Sequence, residues 1–183
     1  MGSTRRVTLP ALLLVGMAHV LAAEPPLAVA PDIDLARYTG VWYEIARLPN
    51  RFQRQCVDNV TATYQLRDDG RLSVVNACRL IDGDMERAEG VARIASAEGP
   101  NTKLEVRFAP AWLGWLPLVW GDYWIIELAP DYSYSVVGTP SRKYLWILAR
   151  SPRMDESIYS AILARAAGKG FDTSRVQLTA HNR

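Results

Sequence analysis

Between Val41 and Arg150 the chain is divided into short runs rich in Val, Ile, Leu, Tyr and Trp, separated by clusters of Gly, Pro, Asn and Asp. Runs of this length with such punctuation read as strands joined by hairpins rather than as helices. The first is Val41 to Arg47. Val57 to Leu66 and Arg71 to Leu80 flank Arg67-Asp68-Asp69-Gly70, a turn with Gly where a positive φ is needed. Met85 to Ala95 and Thr102 to Phe108 follow, parted by Glu98-Gly99-Pro100-Asn101. Tyr123 to Leu128 and Tyr132 to Gly138 surround Ala129-Pro130-Asp131, and Lys143 to Arg150 comes after Thr139-Pro140-Ser141. Strands in such succession predict an all-β meander, either barrel or sandwich.

After Arg150 the period changes. Ser151-Pro152-Arg153-Met154-Asp155-Glu156 introduces a helix, with Pro152 and the acidic pair suited to its first turn. Ile158, Ile162, Leu163 and Ala166 recur at helical spacing, and Arg165 and Lys169 sit near the C-terminus before Gly170. One amphipathic helix after a run of strands is expected to pack on the outside of the sheet. Phe171 and Val176-Gln177-Leu178 suggest a short final strand.

The first residues follow a different logic. Arg5 and Arg6 precede a mostly apolar stretch centred on Leu12-Leu13-Leu14-Val15, and Val20-Leu21-Ala22-Ala23 offers small residues for cleavage. The stretch is shorter than the roughly 20 residues of a membrane span. Residues 1–23 are therefore expected to be a signal peptide, 24–33 an extension, and 34–180 one domain. Export predicts a soluble periplasmic or secreted protein. Losing Arg5 and Arg6 takes the basic residues from 21 to 19, equal to the 19 acidic ones. A near-neutral chain gives no reason to expect nucleic acid or an anionic surface as partner.

Cleavage also removes His19 and leaves His181, in the tail, as the sole histidine. A His-based triad and a His/Cys zinc site are both disfavoured by that count, and phosphate-cradling glycine motifs are missing, so no catalytic residue, metal or cofactor is expected. Glu44 and Glu127 interrupt apolar runs without a recognisable catalytic partner; they are read as barrel carboxylates that orient a ligand or accept from Tyr hydroxyls. In an oxidising compartment Cys56 and Cys78, the only cysteines, should form a disulfide. If Leu66 faces Arg71, Cys78 lies opposite Asn59, and a small bulge at the strand's start would bring the sulfurs together. Asn59-Val60-Thr61 also matches a glycosylation acceptor pattern, which chance often produces.

The motifs also fall in a familiar order. Gly40-Val41-Trp42-Tyr43 opens the first strand and Tyr144-Leu145-Trp146-Ile147-Leu148-Ala149-Arg150 closes the last. With Arg51-Phe52-Gln53, Val60-Thr61-Ala62-Thr63-Tyr64, Tyr123-Trp124-Ile125-Ile126, Asp131-Tyr132-Ser133-Tyr134 and Gly170-Phe171-Asp172, the chain from about Pro31 to Leu178 resembles the lipocalin family, in particular its bacterial Blc-type, apolipoprotein D-like branch. The resemblance implies an eight-stranded up-and-down antiparallel β-barrel with one C-terminal α-helix packed outside. It also implies that Trp42 plugs the closed end, that Arg150 packs across its indole and donates to nearby carbonyls, and that the other end is a lipid-binding cup. Tyr64, Tyr123, Tyr134, Tyr144 and Trp146 are candidate wall residues, and Arg79, Arg93 and Arg107 candidate head-group contacts; strand parity leaves open which face inward.

Two departures from the family pattern matter. Bacterial relatives that are outer-membrane lipoproteins carry an acylated Cys at the end of the signal, whereas here no Cys precedes Cys56, so lipid anchoring is not expected. Trp112, Trp115 and Trp120 crowd one hairpin connection; they either fold back and bury themselves or form an apolar lid or membrane-touching loop at the mouth. The expected function is to bind and carry or store a fatty acid, lysophospholipid or similar amphiphile without turnover. The alternatives are a lipocalin-fold enzyme acting on a lipid or isoprenoid, and a module whose rim binds a protein or a membrane surface.

Overall fold

The computed structural model describes residues 25–182. The expected leader and its cleavage junction lie outside the described residues. Eight antiparallel strands form a closed barrel: β1 (Gly40–Arg47), β2 (Asp58–Leu66), β3 (Leu72–Arg79), β4 (Met85–Ile94), β5 (Lys103–Arg107), β6 (Gly121–Leu128), β7 (Tyr134–Gly138) and β8 (Leu145–Ala149). Each pairs with its neighbour in sequence, and β1 closes the ring by pairing with both β2 and β8. A short β9 (Gln177–Leu178) lies along the end of β1 where β2 has diverged. Because the meander runs up and down, connections alternate between two ends. Residues 33–39 and the turns after β2, β4 and β6 occupy one end, and the turns after β1, β3, β5 and β7 the other.

The alternation of burial produces two cores. On the inner face Trp42, Tyr64, Leu72, Val74, Ala92, Leu104, Ile125, Val137 and Leu148 fill the lower barrel. On the outer face Ile126, Val136, Leu145, Ile147 and Phe171 pack against Ile162 and Ala166 of α2 (Glu156–Gly168). The helix thus sits outside, as expected, but starts later: Asp155 takes the N-cap position, leaving Pro152 before the helix. The helix forms only where Glu156 and the periodic apolar residues follow, so Pro152 precedes its first turn rather than opening it. Ile158 remains more than a third exposed, so the buried stripe is narrower than the sequence suggested.

The hairpin between β2 and β3 corrects the expected register. Leu66 pairs with Leu72, not Arg71, because Gly70 adopts φ +77° and the Arg67 N–H donates to the Arg71 carbonyl, leaving five residues in the turn. A register shift between Asp58 and Thr61 then sets Asp58 opposite Arg79. Asn59 sits in this bulge at φ +52°, a left-handed conformation that Asn tolerates better than most residues. The bulge places the Cys56 and Cys78 Cα atoms 5.5 Å apart and their disulfide is formed; the chain-entropy model gives such a crosslink about 3 kcal/mol.

Residues 27–33 are more closely integrated than an extension. Leu27 and Ala30 are buried, the Ala30 N–H donates to the Ile125 carbonyl, and Asn101 holds the Ile33 backbone on both sides. Asp34 then caps α1 (Leu35–Tyr38), a one-turn helix that the sequence reading did not anticipate, by accepting from the Ala36 and Arg37 N–H groups. At the other terminus the tail sutures the barrel. Thr179 donates to Glu44, Asn59 donates through its backbone to the Ala180 carbonyl, and Asn182 donates to Asp58.

Candidate functional site

The barrel's interior is closed at one end by a plug built from α1 and β1. Trp42 is completely buried, its Nε1 donates to the Tyr38 carbonyl at 2.8 Å, and the Tyr38 ring lies 4.9 Å away. Arg150 covers the indole with its Cζ 3.8 Å from the ring centroid and donates to the carbonyls of Val41 (2.9 Å) and Arg37 (2.8 Å). Gly40 adopts φ +92°, and a Cβ there would come within 3.3 Å of the Arg150 guanidinium. The spacing Gly-x-Trp thus supplies a left-handed turn, room for Arg150 and the ring it covers.

Above the plug, four hydroxyls form a chain across the lower wall. Tyr64 and Tyr123 meet at 2.8 Å, Tyr123 and Tyr38 at 3.1 Å, and Tyr38 and Ser135 at 3.0 Å. Burial pushes all three phenols to higher pKa, most strongly Tyr64 and Tyr123, where neighbouring phenols add to the effect. Toward the other end the inner face opens: Leu72 and Ala92 are buried, Asn76 is half-buried and Ala88 is exposed. This is the profile of a cup, dry at its floor and accessible at its mouth.

The mouth carries polar groups that the sequence reading did not assemble. A bulge between Glu44 and Ala46 puts both Glu44 and Arg47 on the inner face, opposite Leu148 and Trp146 respectively. Glu44 is buried and accepts from Arg47 (2.6 Å), Gln53 (2.7 Å) and Thr179 (2.6 Å). Gln53 also receives the Trp146 indole N–H at 2.9 Å. Tyr144 stacks on Trp146 at 5.9 Å and Phe52 leans on Tyr144 at 5.5 Å. Opposite them Phe108 lies against Gly90, where a Cβ would meet its ring at 2.8 Å. The absence of a side chain at Gly90 is what admits that ring.

Of the candidate wall residues, Tyr64, Tyr123, Tyr144 and Trp146 therefore line the cup. Tyr134 does not. A further bulge, between Ile125 and Glu127, turns Glu127 to the outer face, where it accepts from the Tyr134 hydroxyl (2.9 Å) and from Arg165 of α2 (2.6 Å). Of the two carboxylates, Glu127 ties the helix to the barrel and Glu44 remains inside. The three candidate head-group cations also lie elsewhere. Arg79 is engaged by Asp58, which it holds below the usual carboxylate range; Arg93 pairs with Glu105 at 2.9 Å and covers Trp120 at 3.9 Å; Arg107 is buried beside the same indole and donates to the Pro110 carbonyl. The inward cation is Arg47, legible only once the bulge beside it is known.

The connection from Phe108 to Trp120 divides its indoles. Trp120 folds back onto the outer wall between Arg93 and Arg107, and its Nε1 donates to the Gly114 carbonyl at 2.8 Å. Trp112 and Trp115, borne on or beside a 3-10 turn (Ala111–Leu113), are 73% and 78% exposed, and Leu118 is 95% exposed. Ile81, on the turn after β3, and Met85, which opens β4 at the same end, are exposed as well. The rim is thus apolar and faces solvent.

A plugged barrel with a solvent-open apolar cup and a few polar groups at its mouth defines a small-ligand binding protein. Residues 33–181 match the family model described as a lipocalin-like domain. The outer membrane lipoprotein Blc of Escherichia coli (strain K12) is 39% identical over 154 residues, covering 82% of this chain and 82% of that protein. Temperature-induced lipocalin-1 of Arabidopsis thaliana is 38% identical over 154 residues, covering 84% and 82% respectively. Among solved structures, insecticyanin from the tobacco hornworm Manduca sexta superposes with a TM-score of 0.65 at 23% identity, over 87% of this chain and 86% of that one. The chain belongs to the lipocalin family, whose members bind small hydrophobic ligands and are generally binding proteins rather than enzymes. Among the described residues no helix is long and apolar enough to cross a membrane.

Proposed function

We propose that this lipocalin is an exported carrier that takes up a fatty acid or lysophospholipid from a membrane surface and holds it without chemical change. The single observation that carries the reading is the gradient inside the barrel, from a dry floor over Trp42 to a mouth where Arg47, Gln53, Tyr144 and Trp146 stand together. An acyl chain withdrawn into the apolar lower cup contributes about 0.8 kcal/mol per buried CH₂, while the anionic head stays at the mouth. Arg47 is the cation placed to meet it, and its present partner Glu44 keeps the site neutral until an anion competes. Trp112, Trp115 and Leu118 would rest in the bilayer interface, where indoles are favoured, so that the mouth opens toward the lipid it collects.

The test is a titration of delipidated protein with palmitate and with lysophosphatidylcholine, followed by Trp emission. A saturable change that Trp146→Phe diminishes, with affinity rising along a series of chain lengths, is the expected outcome. No response of fluorescence or melting temperature to any amphiphile would remove the carrier reading. Mass spectrometry of the recovered lipid separates carriage from turnover: a new chemical species would make the protein a lipocalin-fold enzyme.

A further inference from the structure

The inward side of β3 reads Leu72, Val74, Asn76 and Cys78, and only one of these is a hydrogen-bonding side chain. The register places Asn76 in one inward row with Trp42, Ala62 and Ala88, all apolar. Its Oδ1 is buried and has no hydrogen-bond partner within the protein. An unsatisfied buried amide oxygen is destabilising, and a Leu at this position would continue the apolar wall without that cost. Turning the amide over does not relieve the problem, because Nδ2 would then occupy the same dry position.

The hydroxyl chain below has a related imbalance. Tyr64, Tyr123, Tyr38 and Ser135 carry four O–H protons and share three mutual hydrogen bonds. Whichever way the chain is directed, one proton is left to donate outside it. A cup meant only for a plain alkyl chain requires neither feature. Both are met by a ligand whose apolar body itself carries a group that donates and accepts.

Resting on the carrier reading, we propose that the cup selects amphiphiles bearing a hydroxyl along the apolar body, and that Asn76 is the specificity-determining residue that pairs with it. A hydroxyl suits either orientation of the amide, since it can give a proton to Oδ1 or accept one from Nδ2. Plain acyl chains still enter, but leave Asn76 unpaired.

The experiment compares stearic acid with hydroxystearic acids carrying the hydroxyl at successive chain positions, on delipidated protein and its Asn76→Leu and Asn76→Ala variants. The wild type should favour one positional isomer over stearic acid by about tenfold, the equivalent of about 1.4 kcal/mol, with weaker preference for isomers on either side. Asn76→Leu should reverse the order, tightening stearic acid and weakening that isomer, and should raise the melting temperature of the ligand-free protein. Asn76→Ala, which removes the amide without filling the space, should abolish the preference and guards against a packing artefact of Leu. If stearic acid and every isomer bind the wild type alike, or if both variants keep the wild-type ratio, Asn76 is a structural amide and the inference fails while the carrier reading stands. If the wild type binds none of these acids, both fall together.

Discussion

The plug can be tested as a coupled pair. Trp42 is fully buried, and truncation of such a ring to Ala costs about 3–5 kcal/mol, a large share of the roughly 5–15 kcal/mol that holds a domain folded. Trp42→Leu is therefore the more useful change: it keeps apolar bulk beneath Arg150 but removes the aromatic face and the Nε1 donor to the Tyr38 carbonyl. Arg150→Met keeps the aliphatic stem and removes two charged donations, to Val41 and Arg37, together with the contact at 3.8 Å over the indole. Hydrogen bonds from charged groups contribute about 1.5–3 kcal/mol each when buried, but Arg150 is only partly covered, so about 2–3 kcal/mol in total is expected. The guanidinium–ring attraction is worth about 0.5–2 kcal/mol, and because it needs both partners it should appear as a coupling of about 1 kcal/mol in a double-mutant cycle. Urea unfolding followed by far-ultraviolet circular dichroism reads all four proteins without depending on the mutated indole. Additivity within about 0.3 kcal/mol would mean that the two residues stabilise the floor independently, contrary to the geometry.

Three further outcomes follow from the same structure. The phenols of Tyr38, Tyr64 and Tyr123 are held neutral by burial, so the folded state retains protons that the unfolded chain loses above about pH 10; stability should fall as pH rises beyond that point, and a folded protein whose tyrosine absorbance titrated entirely at the ordinary value would contradict the buried chain. Asp58 is shifted the other way by Arg79, so its contribution is present above about pH 4, the unfolded aspartate value, and is lost as pH falls through the lower folded value; Asp58→Asn should flatten the acid side of the stability profile measured by urea midpoints. Replacing Trp112, Trp115 and Leu118 together by Ser should weaken sedimentation with phospholipid vesicles severalfold while leaving the melting temperature nearly unchanged, because none of the three is buried; a large loss of stability would show that the loop is a structural cover.

What the sequence made legible were features carried by local pattern. Short apolar runs gave the strands, clusters of Gly, Pro, Asn and Asp gave the turns, the cysteine pair and an expected bulge gave the disulfide, and the ordered motifs around Trp42 and Arg150 gave the plug. What it hid were the irregularities that decide which face a side chain takes. Two bulges reassign the site: the one after Glu44 brings Arg47 inward, and the one after Ile125 sends Glu127 out to Tyr134 and α2. A one-residue slip reverses every side chain beyond it, and neither bulge is marked by a Gly or Pro. Arg79, Arg93 and Arg107 stood out as head-group candidates and Arg47 did not, because strand parity is only as good as the assumed register. Asn76 was overlooked for a different reason, since a lone amide in a strand attracts no notice until its neighbours prove apolar.

The way the ring closes also governs when this protein can come into being. β1 finds its partner β8 through pairs such as Tyr43 with Ala149, and its last residues await Gln177 and Leu178. Nearly the whole chain must therefore be available before the first strand has both neighbours, and the floor over Trp42 cannot be completed until Arg150 arrives. Pairings that distant in sequence place folding on the slow, millisecond-to-second side of the range for small domains. Under the export proposed above, late closure would be an advantage: the barrel would stay threadable during passage and lock only when Gln177 and Leu178 had followed it through.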